Sequence, residues 1–208
     1  MSLLLSTAKT IAVVGNGPVS VAAAGKIDDA DLVVRMNHAG LCGVAGRRTD
    51  CLAVNGRIWS HDLSRDGRPI NPLALRQAKE IWLSFSPPTE DERDGRRLVF
   101  AGGDRVDRLA EELQRFAADG AEVVPSVGAR ILRYVLDESD AKVTLFGFSH
   151  QGDRLHNWSA EAAWMGELAE AGLVEYSVSG PPHVRQTLAI RMWMQAQRVR
   201  NHIRAGRF

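Results

Sequence analysis

Asn16, Asn37, Ser126, His150, His156 and Glu161 are the side chains whose types and spacing could do chemistry on a polar small molecule. His156 and Glu161 lie five residues apart at the start of a helical pattern, HNWSAEAAW. An unperturbed imidazole titrates near pH 6.5, so His156 could act as a general base. A loop histidine also serves structure alone, and an acid such as Glu161 in a first helical turn is favoured by the helix dipole. Ser126, ahead of Val127 and Gly128 in PSVGARIL, has the place of a helix N-cap, a contribution of about 1 kcal/mol. The same geometry gathers a hydroxyl and free backbone amides into an anion site.

Gly15-Asn16-Gly17 closes the apolar run IAVV, and glycines there let the backbone approach a phosphate. The dinucleotide fingerprint is incomplete: Pro18 sits in the turn and Ser20 would have to replace the third glycine. Where an acid would bind the ribose of NAD stands Arg35, which could suit the 2′-phosphate of NADP. Asn16 and Asn37 follow neighbouring strands and point to the crevice where α/β folds bind ligands. An amide offers the donor and acceptor that suit a pyrimidine edge and its ribose. Asparagine also simply shapes left-handed turns.

The elements that would position these groups alternate. Strands are expected at Ile11–Val14, Leu32–Met36, 50–55, Glu80–Phe85, 121–125 and 142–148. Helices are expected at Val19–Lys26, Asp104–Ala118, Gly128–Leu136 and Ser159–Ala171, with Gly120 and Gly172 as stops. Gly56–Pro72 and Ser86–Arg97 read as irregular, either solvated loops or binding segments. From His183 to Phe208 the chain reads as one long helix, basic over about 183–205, with six arginines and no acid. Its basic face is either solvated or attracts an anionic partner. Together these elements predict one α/β domain over residues 1–208: a doubly wound, mostly parallel Rossmann-like sheet.

Composition narrows the classes. The 208 residues are 45% apolar and 25% charged with a net charge of +1, which fits a soluble globular protein and excludes a globally basic nucleic-acid binder. Leu3–Leu5 is too short for a signal sequence or a membrane span. Cys42 and Cys51 lack the further partners of a metal or disulfide framework and read as free thiols of a cytoplasmic protein.

Three blocks in order resemble the sialyltransferases of glycosyltransferase family 29. VVGNGPV…IDDADLVVRMNHAG…GRRTD is similar to the family's large sialylmotif, PSVG…VTLFGF to the small one, and HNWSAE to the very small one. The likeness runs from Ile11 to about Glu161. It implies a single-domain variant of the sialyltransferase fold and an inverting, metal-independent transfer from a CMP-activated sugar, sialic acid or a related 2-keto sugar acid, to an unknown hydroxyl acceptor. No cofactor beyond that donor is implied. Gly15, Asn16, Gly17 and Asn37 would contact the nucleotide, with Ser126, Val127, Gly128 and His150 completing the donor site. His156 would be the general base and Glu161 its support.

The departures are specific. The cysteine pair of secretory members is absent, with Ile11 and about Asp140 in its place, and Val127 replaces a threonine. The segment between Phe148 and His156 is short, so His150 would stand in for part of a further motif. Neither membrane anchor nor stem is seen, and a cytoplasmic location is expected. Small bacterial members of the family are also filed as urease operon accessory proteins, a label of gene neighbourhood. A nucleotide-binding accessory protein without transfer, or an NADP-dependent reductase, are the alternative readings.

Overall fold

The computed structural model describes residues 2–55, 70–118, 120–150 and 155–177. Eight strands form one sheet in the order β5-β6-β4-β3-β2-β1-β7-β8, parallel except for β5 against β6. The strands are β1 (Thr10–Val14), β2 (Leu32–Met36), β3 (Cys51–Val54), β4 (Glu80–Leu83), β5 (Glu92–Arg93), β6 (Arg96–Phe100), β7 (Lys142–Phe146) and β8 (Val174–Tyr176). The helices are α1 (Ala23–Asp28), α2 (Pro72–Gln77), α3 (Asp104–Gln114), α4 (Val127–Glu138) and α5 (Trp158–Glu170). The expected doubly wound, mostly parallel sheet is present.

The central strands are apolar on both faces because helices cover both. Ile11, Val13, Val34, Trp82 and Leu145 pack on one side with Leu109 and Leu113 of α3, Ile131 and Val135 of α4, and Trp164 and Met165 of α5. Ala12, Val14, Val33 and Phe146 face the other side, against Ala23 and Ile27 of α1. Farther along that side, Leu52, Val54, Ile81 and Leu83 meet Ala74 of α2. The chain moves outward from β1 to β6 and then returns to place β7 on the other flank of β1. The β1/β7 seam is therefore the topological switch point, where open α/β sheets hold ligands.

Several boundaries differ from the sequence reading. The segment 121–125, expected as a strand, has no ladder. Its carbonyls bond to side chains instead: Val124 O accepts from His156 Nδ1 and Pro125 O from Arg130 Nε. Outside β4 the sheet continues with β6 and the edge strand β5, and all of β5 and the first residues of β6 fall in the stretch expected to be irregular. Helix α1 starts at Ala23 rather than Val19, and α2 and β8 were not expected at all. Gly56–Pro72, apart from its last three residues, and the basic C-terminal helix lie outside the described residues.

Candidate functional site

At the β1/β7 switch point the two loops are bonded to each other. Gly15 N donates to Phe146 O and Gly17 N to Gly147 O, both at 2.8 Å. A Cβ on Gly15 would lie 2.6 Å from Gly147 O, and one on Gly17 would lie 2.5 Å from it. Real Cβ atoms do not come that close, so these glycines are needed for the meeting of two backbones. This corrects the phosphate-cradle reading of Gly15 and Gly17: both amides already have protein acceptors. The dipole contribution expected of the next helix is missing too. Helix α1 starts six residues after Gly17, runs for six residues and has no side-chain cap.

The NADP reading fails at Arg35. Its side chain is 1% exposed and donates from Nε to Arg48 O and from Nη2 to Ala45 O, both at 2.9 Å. Burial pulls its pKa down, and its donors hold the loop that follows β2. In GRRTD, Arg48 bonds to the carbonyls of Asp28, Ala30 and Asp31 and pairs with Asp50 at 2.9 Å. The large motif block thus contains a latch that ties the α1–β2 connection to the start of β3.

Asn16 is exposed on the β1 loop. Asn37, directly after β2, takes a left-handed conformation (φ 47°), and its amide donates to Ala53 O at 2.7 Å. Its Oδ1 is buried without a hydrogen-bond partner among the described residues. A buried acceptor left unpaired is costly, so this atom can receive a donor from a bound molecule.

Ser126, Arg130, His156 and Glu161 come together beyond the carboxyl edge. Ser126 caps α4 by accepting from Ala129 N at 3.2 Å. Glu161, 1% exposed, accepts from Ser126 N and from Ser126 Oγ, each at 2.7 Å. The anion at this helix N-terminus is therefore the protein's own carboxylate. That corrects the reading of Ser126 as a free anion seat. Burial pushes the Glu161 carboxyl above its ordinary range, although both Ser126 bonds and the charges of His156 and Arg130 pull the other way.

His156 donates from Nδ1 to Val124 O at 2.8 Å. Its ring stands edge-on to Trp158 with centroids 5.1 Å apart. Arg130, 8% exposed, bonds to Pro125 O and Ser84 O and lies 3.8 Å from the centre of the Phe85 ring. Val127 is buried in the core, and a Cβ on Gly128 would stand 3.0 Å from the Phe148 ring. Both residues are therefore explained by packing.

His150 has a left-handed backbone (φ 47°), and its Nε2 is 2.5 Å from the Tyr176 hydroxyl. Burial lowers the His150 pKa and raises that of Tyr176 to about 12, so both stay neutral near pH 7. Sequence reasoning missed Arg130 and Tyr176. A cation in the first turn of α4 opposes the helix dipole and was a readable sign that Arg130 has a specific partner. Tyr176 gave no comparable signal. Neither cysteine forms a disulfide, and no group of three or more His, Cys, Asp or Glu among the described residues could hold a metal ion. No described helix is long and apolar enough to cross a membrane.

No family model matches the chain. It is 31% identical to the urease operon 23 kDa accessory protein of Rhizobium meliloti (strain 1021), over 81% of this chain and 92% of the relative. That relative is named for an accessory role in a urease operon and not for sugar transfer. It overturns the expectation of a CMP-sugar glycosyltransferase with His156 as general base, and with it the transferase and sialyltransferase assignments. At this identity and coverage, the chain belongs to the family of the urease operon 23 kDa accessory protein.

Proposed function

We propose that the protein is a cytoplasmic accessory factor that serves the products of a urease operon through contact with a protein partner and performs no sugar transfer. The observation that carries this reading is the 31% identity to the Rhizobium meliloti accessory protein over nearly all of that relative. The geometry supports it, because the groups that would handle a departing phosphate already have partners within the chain. The Gly15 and Gly17 amides bond to the β7 loop, and the α4 N-terminus holds Glu161. In cells expressing a urease operon, deleting this gene should lower urease activity, and the tagged protein should co-purify with urease subunits. Unchanged urease activity with no co-purification would overturn the reading.

A nucleoside monophosphate bound without turnover is the second reading, favoured by the orphaned Oδ1 of Asn37. The amino group of a cytosine ring is a donor of the kind that atom lacks. On this reading the likeness to the sialyltransferase motifs reflects a shared scaffold, with Asn16 and Asn37 as its binding remnant. Calorimetry with CMP should then show binding that Asn37→Ala weakens about fivefold or more, the loss of one hydrogen bond of about 1 kcal/mol. Equal binding of CMP by both proteins, or none by the wild type, would sink this reading.

A further inference from the structure

The opposite end of the sheet carries a cavity of about 290 Å³, where the chain enters β1, β2, β3 and β4. Lys9, Asp31, Arg48, Asp50 and Lys79 line it, beside the apolar Leu4 and Leu32. Both carboxylates already have donors. Asp31 Oδ2 accepts the amides of Lys9 and Thr10 at 3.0 and 2.9 Å, and these bonds hold its pKa below the usual carboxylate range. Asp50 Oδ2 accepts Val33 N and pairs with Arg48, each at 2.9 Å. Arg48 is fixed by the three carbonyls it bonds.

The lysines differ. Neither the Lys9 nor the Lys79 ammonium has a hydrogen bond or an ion pair within 4 Å among the described residues, and the Lys9 charge acts on Asp31 only at longer range. The lining therefore carries three cations against two carboxylates, with the carboxylates bonded to internal donors and neither ammonium closely paired.

We propose that this amino-edge cavity binds a small anion of two or more negative charges, with carboxylate or phosphate groups reaching Lys9 and Lys79 together. A monovalent anion would neutralise only one of the two ammonium charges, and a cation would meet the net positive charge of the lining. The volume accommodates a short multivalent anion of several heavy atoms. The proposal is independent of the urease assignment and of any nucleotide at the carboxyl edge.

Titration calorimetry on the full chain tests it with citrate, pyrophosphate and inorganic phosphate, at constant ionic strength set with chloride. Binding of citrate or pyrophosphate is expected, stronger than that of inorganic phosphate. Lys9→Gln and Lys79→Gln should each weaken it about fivefold, the worth of about 1 kcal/mol per exposed ion pair. Both side chains are exposed, so neither change disturbs the core. Lys26→Gln, on α1 outside the cavity, should leave the affinity unaltered. No binding by the wild type overturns the proposal, as does equal weakening by Lys26→Gln, which would mark general screening of charge.

Discussion

The two ends of this parallel sheet treat charge in opposite ways. At the carboxyl end, where such folds hold ligands, the chain fills the site itself. The β1 and β7 loops bond through Gly15, Gly17 and Gly147, and the Glu161 carboxylate sits at the α4 N-terminus. At the amino end, Asp31 and Asp50 are answered by backbone amides and Arg48, and the space between them stays open. Binding at a carboxyl edge needs a vacant seam and free helix amides, not the topology alone. Here the topology is intact, the seam is closed by its own backbone, and the Ser126 amide and hydroxyl are taken by Glu161.

Breaking the seam is expected to have the largest effect. Gly147 has φ 66° and would place a Cβ 2.8 Å from Gly17 O. Gly147→Ala combines a left-handed penalty with overpacking and should cost about 3 kcal/mol, read as a drop in the urea midpoint. A loss below about 1 kcal/mol would show that the loops separate easily and that the switch point can open. Glu161→Ala comes next. It leaves the Ser126 amide without its buried acceptor and should cost about 2 kcal/mol. Ser126→Ala removes the cap and one donor to Glu161 and should cost about 1 kcal/mol or somewhat more. If the carboxylate and hydroxyl act as one unit, the double variant should lose clearly less than the sum.

The sheet was legible because continuous apolar runs such as IAVV and LVVRM are what a parallel strand buried on both faces requires. The failures have local causes. Residues 121–125 look like a strand by content, yet the carbonyls of Val124 and Pro125 are claimed by His156 and Arg130. In β6 the pair Arg96-Arg97 conceals an apolar run only three residues long. The site was legible only as residue types. Ser126, His156 and Glu161 do converge, but no spacing along the chain could reveal that Glu161 itself is the anion at the α4 N-terminus. Gly15 and Gly17 do mark a close approach, but the approaching group is backbone and not the phosphate expected there.

The smallest expected effect separates the two ends by the sign of their response to pH. Glu161 has a folded-state pKa raised by burial. Its contribution is complete below the ordinary carboxylate value of about 4.3 and is lost as pH rises through the folded value. Asp31 has a folded-state pKa lowered by the amides of Lys9 and Thr10, so its contribution is present above the ordinary value of about 3.9 and is lost as pH falls through the folded one. Glutamine resembles the protonated acid, so Glu161→Gln should gain stability relative to wild type as pH rises from 4 to 7. Asp31→Asn should do the reverse, costing most at neutral pH and least below pH 3. Urea midpoints of the three proteins across that range provide the check. Parallel pH trends for the two variants would mean that the backbone amides at Asp31 and the burial at Glu161 do not set these titrations, and the contrast between the two ends would rest on packing alone.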